Sequence, residues 1–89
     1  MVVYKYPLPF RGGTIPLALP RCGQILDIAF QGDDLFLWAL VDPDGDLDSY
    51  TVVIAGTGHE IAEDLRATLF HKTLHHAGFV WHVFVKSAV

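Results

Sequence analysis

This sequence is short of the parts from which small domains usually draw stability or chemistry. Cys22 is its single cysteine, so no disulfide can close within the chain. A lone thiol suits a reducing cytosol and argues against a secreted, disulfide-stapled scaffold. Cations are scarce too: six Lys and Arg stand against ten Asp and Glu, for a net charge of −4. They are scattered along the chain, at Lys5, Arg11, Arg21, Arg66, Lys72 and Lys86. That balance argues against general nucleic-acid binding, which needs clustered cations on the phosphate backbone. No apolar run approaches the roughly 20 residues that cross a bilayer. The first residues also lack the charged and long apolar regions of a signal peptide. The expectation is a cytoplasmic protein with no membrane contact.

Charge of either sign is thin as well. Charged residues make up 18% of the chain and hydrophobic ones 52%, where an average domain has about 25% charged. The 89 residues suffice for a single β-rich domain spanning 1–89. Such a chain buries only about 60–65% of the surface it exposes when unfolded. With so little interior, part of the apolar surplus is expected on an interface.

What the sequence does contain is a period of two. Tyr4 and Tyr6 alternate with Val3 and Lys5 in a first strand that Pro7 and Pro9 end, and Gly12-Gly13 turns the chain. Residues 14–19 read as a second strand, and Pro16 within it marks a sheet edge. In a third strand, 24–31, Leu26, Ile28 and Phe30 share one face, while Ile25, Asp27 and Ala29 share a wetter one. A turn at Gly32-Asp33 leads into a fourth strand, 34–41, apolar on both sides and therefore central or covered. Residues 49–55, 66–72 and 79–86 supply three more strands, and 60–65 one or two turns of acidic helix. The fold class is mainly β: an antiparallel sandwich or open barrel of about seven strands with at most one short helix.

Three stretches carry candidate chemistry, each beside an ordinary structural explanation. Asp42, Asp44, Asp46 and Asp48 alternate around Gly45, as oxygen ligands for calcium would. The glycine is misplaced for the helix–loop–helix calcium pattern, and Val53 stands where a closing Glu belongs. Asp, Pro and Gly are also the usual residues of a solvated turn. The five histidines, His59, His71, His75, His76 and His82, lack zinc spacing even with Cys22 added. Neither metal nor other cofactor is expected. Gly56-Thr57-Gly58-His59 ends a strand, where bare backbone N–H groups could meet an anion. The simpler account is a bend that uses glycine's positive φ. If a ligand site exists, the expected residues are Gly56, Thr57, Gly58 and His59, with Arg66 and His82 beside them. Ser49 and Ser87 have no nucleophile motif around them, and no acid–base pair can be assigned, so no catalytic residue is expected.

The segments Leu37-Trp38-Ala39-Leu40-Val41-Asp42-Pro43, Gly56-Thr57-Gly58-His59 and His82-Val83-Phe84 resemble, in order, a family of small bacteriophage- and prophage-encoded proteins of uncharacterised function. Tyr4-Lys5-Tyr6-Pro7-Leu8 and residues 14–20 extend the resemblance over nearly the whole chain. His75-His76-Ala77-Gly78 departs from it, standing where the family pattern leads one to expect a more Gly-rich turn. The resemblance implies a phage-related origin and expression in the cytoplasm of a bacterial host; it carries over no functional residue.

The expected function is therefore non-enzymatic: a protein-binding accessory module, with inhibition of a host defence system as one version. The alternative is a small-ligand binder that sequesters, for instance, a nucleotide signal. Self-association as a twofold homodimer is also expected. Phe36, Trp38, Trp81 and Phe84 are the interface candidates, because the fourth and seventh strands are apolar on both sides. Burying a further ~500 Å² per chain would contribute roughly 12 kcal/mol before association costs. Twofold dimers are the commonest closed assembly.

Overall fold

The computed structural model describes residues 1–88. Among these residues the strands are β1 (Val2–Leu8), β2 (Gly13–Pro20), β3 (Cys22–Gln31), β4 (Asp34–Val41), β5 (Leu47–Gly56), β6 (Thr68–His76) and β7 (Phe79–Ser87), and no segment is helical. They form a three-stranded sheet, β1-β4-β3, and a four-stranded sheet, β2-β5-β7-β6. Every neighbouring pair is antiparallel. The two sheets enclose one core, which makes the domain an antiparallel sandwich.

Alternation is the physical driver. In β4, Leu35, Leu37, Ala39 and Val41 are buried, while Phe36, Trp38 and Leu40 are half-buried on the opposite side. Val52 and Ile54 of β5 and Val83 and Val85 of β7 face them from the other sheet. Leu8, Ile15, Leu19, Ile28 and Leu74 complete the core from the remaining strands. Burying one such side chain stabilises by about 1.5–3 kcal/mol. Register is pinned as a result, since a slip of one residue would turn every one of them outward. Pro16 lies in β2, which is an edge strand, and β4 is the centre of its sheet.

Four details differ from the sequence reading. β1 runs through Pro7 to Leu8, because an edge strand has one side on which a missing N–H costs nothing. β3 slips register between Cys22 and Gln24 and again between Ile25 and Asp27. The second slip inverts the parity upstream of it. Ile25 packs against the core with Ile28 and Phe30, and Leu26 is left exposed. β6 starts and ends later than residues 66–72, and its hairpin with β7 is closed by Ala77 and Gly78, both at positive φ.

The fourth difference concerns residues 57–67, which form an irregular strap across the outer face of the four-stranded sheet. Val53 and Ala55, on that outer face, are buried. Lys86 of β7 ties the strap down through Glu63 (3.0 Å) and the Asp64 carbonyl (3.0 Å). Of the acids of 60–65, Glu63 therefore finds its partner on the sheet, while the Asp64 carboxylate pairs within the strap. A helix of one or two turns has too few internal hydrogen bonds to compete with that.

Candidate functional site

The strap begins at the end of β5, and there the expected Gly-Thr-Gly-His residues form one bend, from which Thr57 reaches His82 while His59 turns to Gly56 and Trp81. Gly56 donates its N–H to His59 Nδ1 (3.3 Å). The His59 ring occupies the space where a side chain on residue 56 would project: a Cβ there would lie 2.8 Å from His59 Cε1. A side chain at 56 would thus displace the His59 ring, and glycine at 58 accommodates a φ of +87°. Thr57 sits beside β7, donating its N–H to the Val80 carbonyl (3.2 Å), and its hydroxyl is 2.7 Å from His82 Nε2.

His82 lies on the outer face of β7 with both ring nitrogens engaged. Thr73 Oγ1 on β6 is 3.2 Å from Nδ1, opposite the Thr57 contact. A neutral imidazole has one donor and one acceptor. With the ring in that form, one threonine accepts from His82 and the other donates to it. His71 stacks at 6.2 Å on His82 and at 4.7 Å on Phe84, and its Nε2 is 3.4 Å from the Thr73 hydroxyl. Thr73 was not among the sequence candidates, and His71 entered only among the histidines weighed as zinc ligands. Their signal is the two-residue turn at 77–78: once it is fixed, pairing across the hairpin sets Thr73 opposite His82 and His71 opposite Phe84.

Arg66 does not join this group. It pairs with Asp64 within the strap, at 2.8 Å, with 91% of its side chain exposed. Hydrogen bonds from the Arg66 side chain, then from its backbone, pull the Asp64 carboxyl down to about 2. The four interface candidates are also separated. Trp81 points inward and packs edge-on against Phe10 (5.0 Å), and Phe84 lies on the outer face of the four-stranded sheet. Only Phe36 and Trp38 remain neighbours, 6.1 Å apart on the outer face of the three-stranded sheet. There the Lys5 ammonium sits 4.0 Å above the Phe36 ring, and Val3 is 55% exposed beside Leu40.

The aspartate loop is organised by its own turn. Asp42 Oδ1 accepts from Asp44 N–H (3.1 Å) and the Asp42 carbonyl from Gly45 N–H (3.0 Å). Arg21 brackets the loop, donating to the Asp46 carbonyl and accepting from Asp42 N–H, each at 2.9 Å. Among the described residues no three His, Cys, Asp or Glu side chains are grouped to hold a metal ion, and no helix is long and apolar enough to cross a membrane.

Fold and site together define a small antiparallel β-sandwich with two unlike outer faces, one strapped and bearing a histidine–threonine cluster, the other aromatic and open. The chain belongs to the family described as a domain of unknown function, DUF7352, whose model matches residues 1–89. Neither a curated protein nor a solved structure matches it significantly.

Proposed function

We propose that this domain is a non-enzymatic protein-binding module that works through the outer face of its three-stranded sheet. The observation that carries the reading is the half-buried aromatic pair Phe36 and Trp38 on an outer sheet face, flanked by Leu40, the exposed Val3 and the Lys5 ammonium. Residues 57–67 cross the opposite outer face; among the described residues no segment crosses this one. Large aromatics and a cation over a ring are the groups that dominate binding energy at protein interfaces. In the phage-encoded setting that the resemblance implies, the partner is a protein of the bacterial host cytoplasm, and inhibition of a defence system is one form the activity takes. A second copy of the chain is the other occupant, giving the twofold homodimer.

The test is photo-crosslinking in bacterial cells from a benzoyl-phenylalanine placed at position 36, with and without Trp38→Glu, alongside light scattering of the pure protein. A discrete crosslinked protein that Trp38→Glu abolishes supports the host-partner reading. A mass of about twice 9.9 kDa that the same variant halves supports the homodimer. A monomer with no variant-sensitive crosslink ends both.

The alternative reading, a binder of small ligands such as a nucleotide signal, rests on Thr57 and His82, whose side chains meet at 2.7 Å beside the Gly56–His59 bend.

A further inference from the structure

On one side of the sandwich the edge strands β3 and β6 meet, and they close it imperfectly. β3 slips twice against β4, between Cys22 and Gln24 and between Ile25 and Asp27; β6 slips once against β7, between Thr68 and Phe70. All three irregularities fall at one end of the seam. Such bulges bend a strand away from its neighbours and recur beside binding sites. The ladder between β3 and β4 skips Gly23 and Leu26 altogether. Further along, the Lys72–Asp27 ion pair (2.6 Å) holds β6 and β3 together. Between the slipped segments lies a cavity of about 450 Å³ that opens into the space between the sheets.

This cavity is half open to solvent, but its walls reach the core. Cys22, Ile25, Tyr50 and Phe70 line it and also pack against the hydrophobic core, so its floor is the core itself. Leu26 and Leu69 form its rim, 40% and 59% exposed. Its volume falls in the range of about 300–1,000 Å³ typical of small-molecule sites. Its polar side chains are the Tyr50 phenol, the Cys22 thiol and the Gln24 amide; burial pushes the first two up, with Asp48 adding to each. Both groups therefore stay neutral near pH 7. No Lys, Arg or His is among the lining residues, and the nearby Asp48 carboxylate opposes a negatively charged guest.

We propose that this inter-sheet cavity is a binding site for an uncharged, largely apolar small molecule that offers one hydrogen-bonding group to the Tyr50 hydroxyl and the Cys22 thiol. The guest continues the core outward and covers the two rim leucines. The site is separate from the Phe36–Trp38 face and from the His82 cluster, so it stands or falls independently of the function proposed above.

The full chain is titrated against two fluorescent probes of similar shape, uncharged N-phenyl-1-naphthylamine and its anionic relative 8-anilinonaphthalene-1-sulfonate. The expected result is saturable one-to-one binding of the neutral probe, at least tenfold tighter than the anion. Alkylation of Cys22 by N-ethylmaleimide, verified by mass, is expected to weaken the neutral probe at least tenfold, and bound probe to slow the alkylation severalfold. Should the adduct lose its far-UV circular dichroism spectrum, Leu69→Glu supplies the same test from the exposed rim, again with a tenfold loss. Tyr50→Phe is expected to weaken binding about threefold to tenfold. Non-saturable fluorescence, equal affinity for the two probes, or binding indifferent to both Cys22 alkylation and Leu69→Glu overturns the proposal. So does probe loss that tracks formation of a dimer, which would make a second chain the occupant.

Discussion

The turn between β6 and β7 is the place where sequence and backbone disagree most plainly, and it yields a sharp stability test. His76 pairs with Phe79, so Ala77 and Gly78 alone reverse the chain, at φ values of 52° and 80°. Two-residue turns with both φ positive match strand twist but favour Asn and Gly. An L-residue with a Cβ pays about 1–2 kcal/mol in this region, and Asn pays less because its amide bonds locally. Ala77→Asn is expected to stabilise by about 0.5–1 kcal/mol. Ala77→Gly removes the same strain but frees the unfolded chain, which returns about 0.5–1 kcal/mol, so its net gain is smaller. For a domain of this size 1 kcal/mol corresponds to about 4–8 °C in Tm. Gly78→Ala is the control. A Cβ there meets nothing within 4 Å, so its cost, about 1 kcal/mol, is backbone strain alone. Urea unfolding with an unchanged slope would report all three. If Ala77→Asn lowers the midpoint, or Gly78→Ala leaves it unmoved, the turn is not strained as described.

The core, the seam and the strap each supply another expectation. Leu37 is fully buried at the centre of β4, and Leu37→Ala should cost about 2–5 kcal/mol in urea unfolding, from lost burial plus the cavity left behind. The Lys72 hydrogen bond lowers the Asp27 carboxyl, against the smaller opposing effect of burial. A depressed carboxylate stabilises above its unfolded value of about 3.9, and that contribution disappears as pH falls through the folded value. With 39% and 46% of the two side chains exposed, the contribution is at most about 0.5 kcal/mol. Lys72→Met should therefore lower the urea midpoint slightly at pH 7 and not at pH 2. Gly56→Ala should push the His59 ring off its seat, seen as shifted His59 and Trp81 side-chain resonances with the β-sheet circular dichroism retained. Unshifted resonances would mean that the ring does not rest there.

Much of the sandwich is legible in the sequence where a single local rule governs. β4 occupies residues 34–41 as expected because the Gly32-Asp33 turn and the Asp42-Pro43 loop bound a continuous apolar run. Pro16 marks an edge because proline cannot donate to a second neighbour. The Gly56–His59 bend is visible as a break after a β-branched run. Its meeting with His82 is foreseeable only as adjacency, since the partner of each strand is chosen by packing. Thr73 escapes notice because the sixth strand extends beyond residue 72 into His75 and His76, held there by pairing with β7.

The period of two in the chain, its turn residues and its apolar excess thus determine that it is an antiparallel β domain, with Leu35, Leu37, Ala39 and Val41 sharing one face of a central strand; packing made that face the inner one. Those features act over one to four residues, and each has a local energetic reason. The tertiary structure alone decided the two register slips in β3, which swap Ile25 for Leu26 at the core and open the inter-sheet cavity. It also decided that residues 57–67 lie as a strap over one outer face while Phe36 and Trp38 stay open on the other. A bulge leaves almost no mark on hydropathy, and a strap is held by contacts such as Lys86 to Glu63 between residues far apart in the chain. Which of two apolar faces is covered is therefore settled only when the sheets have come together.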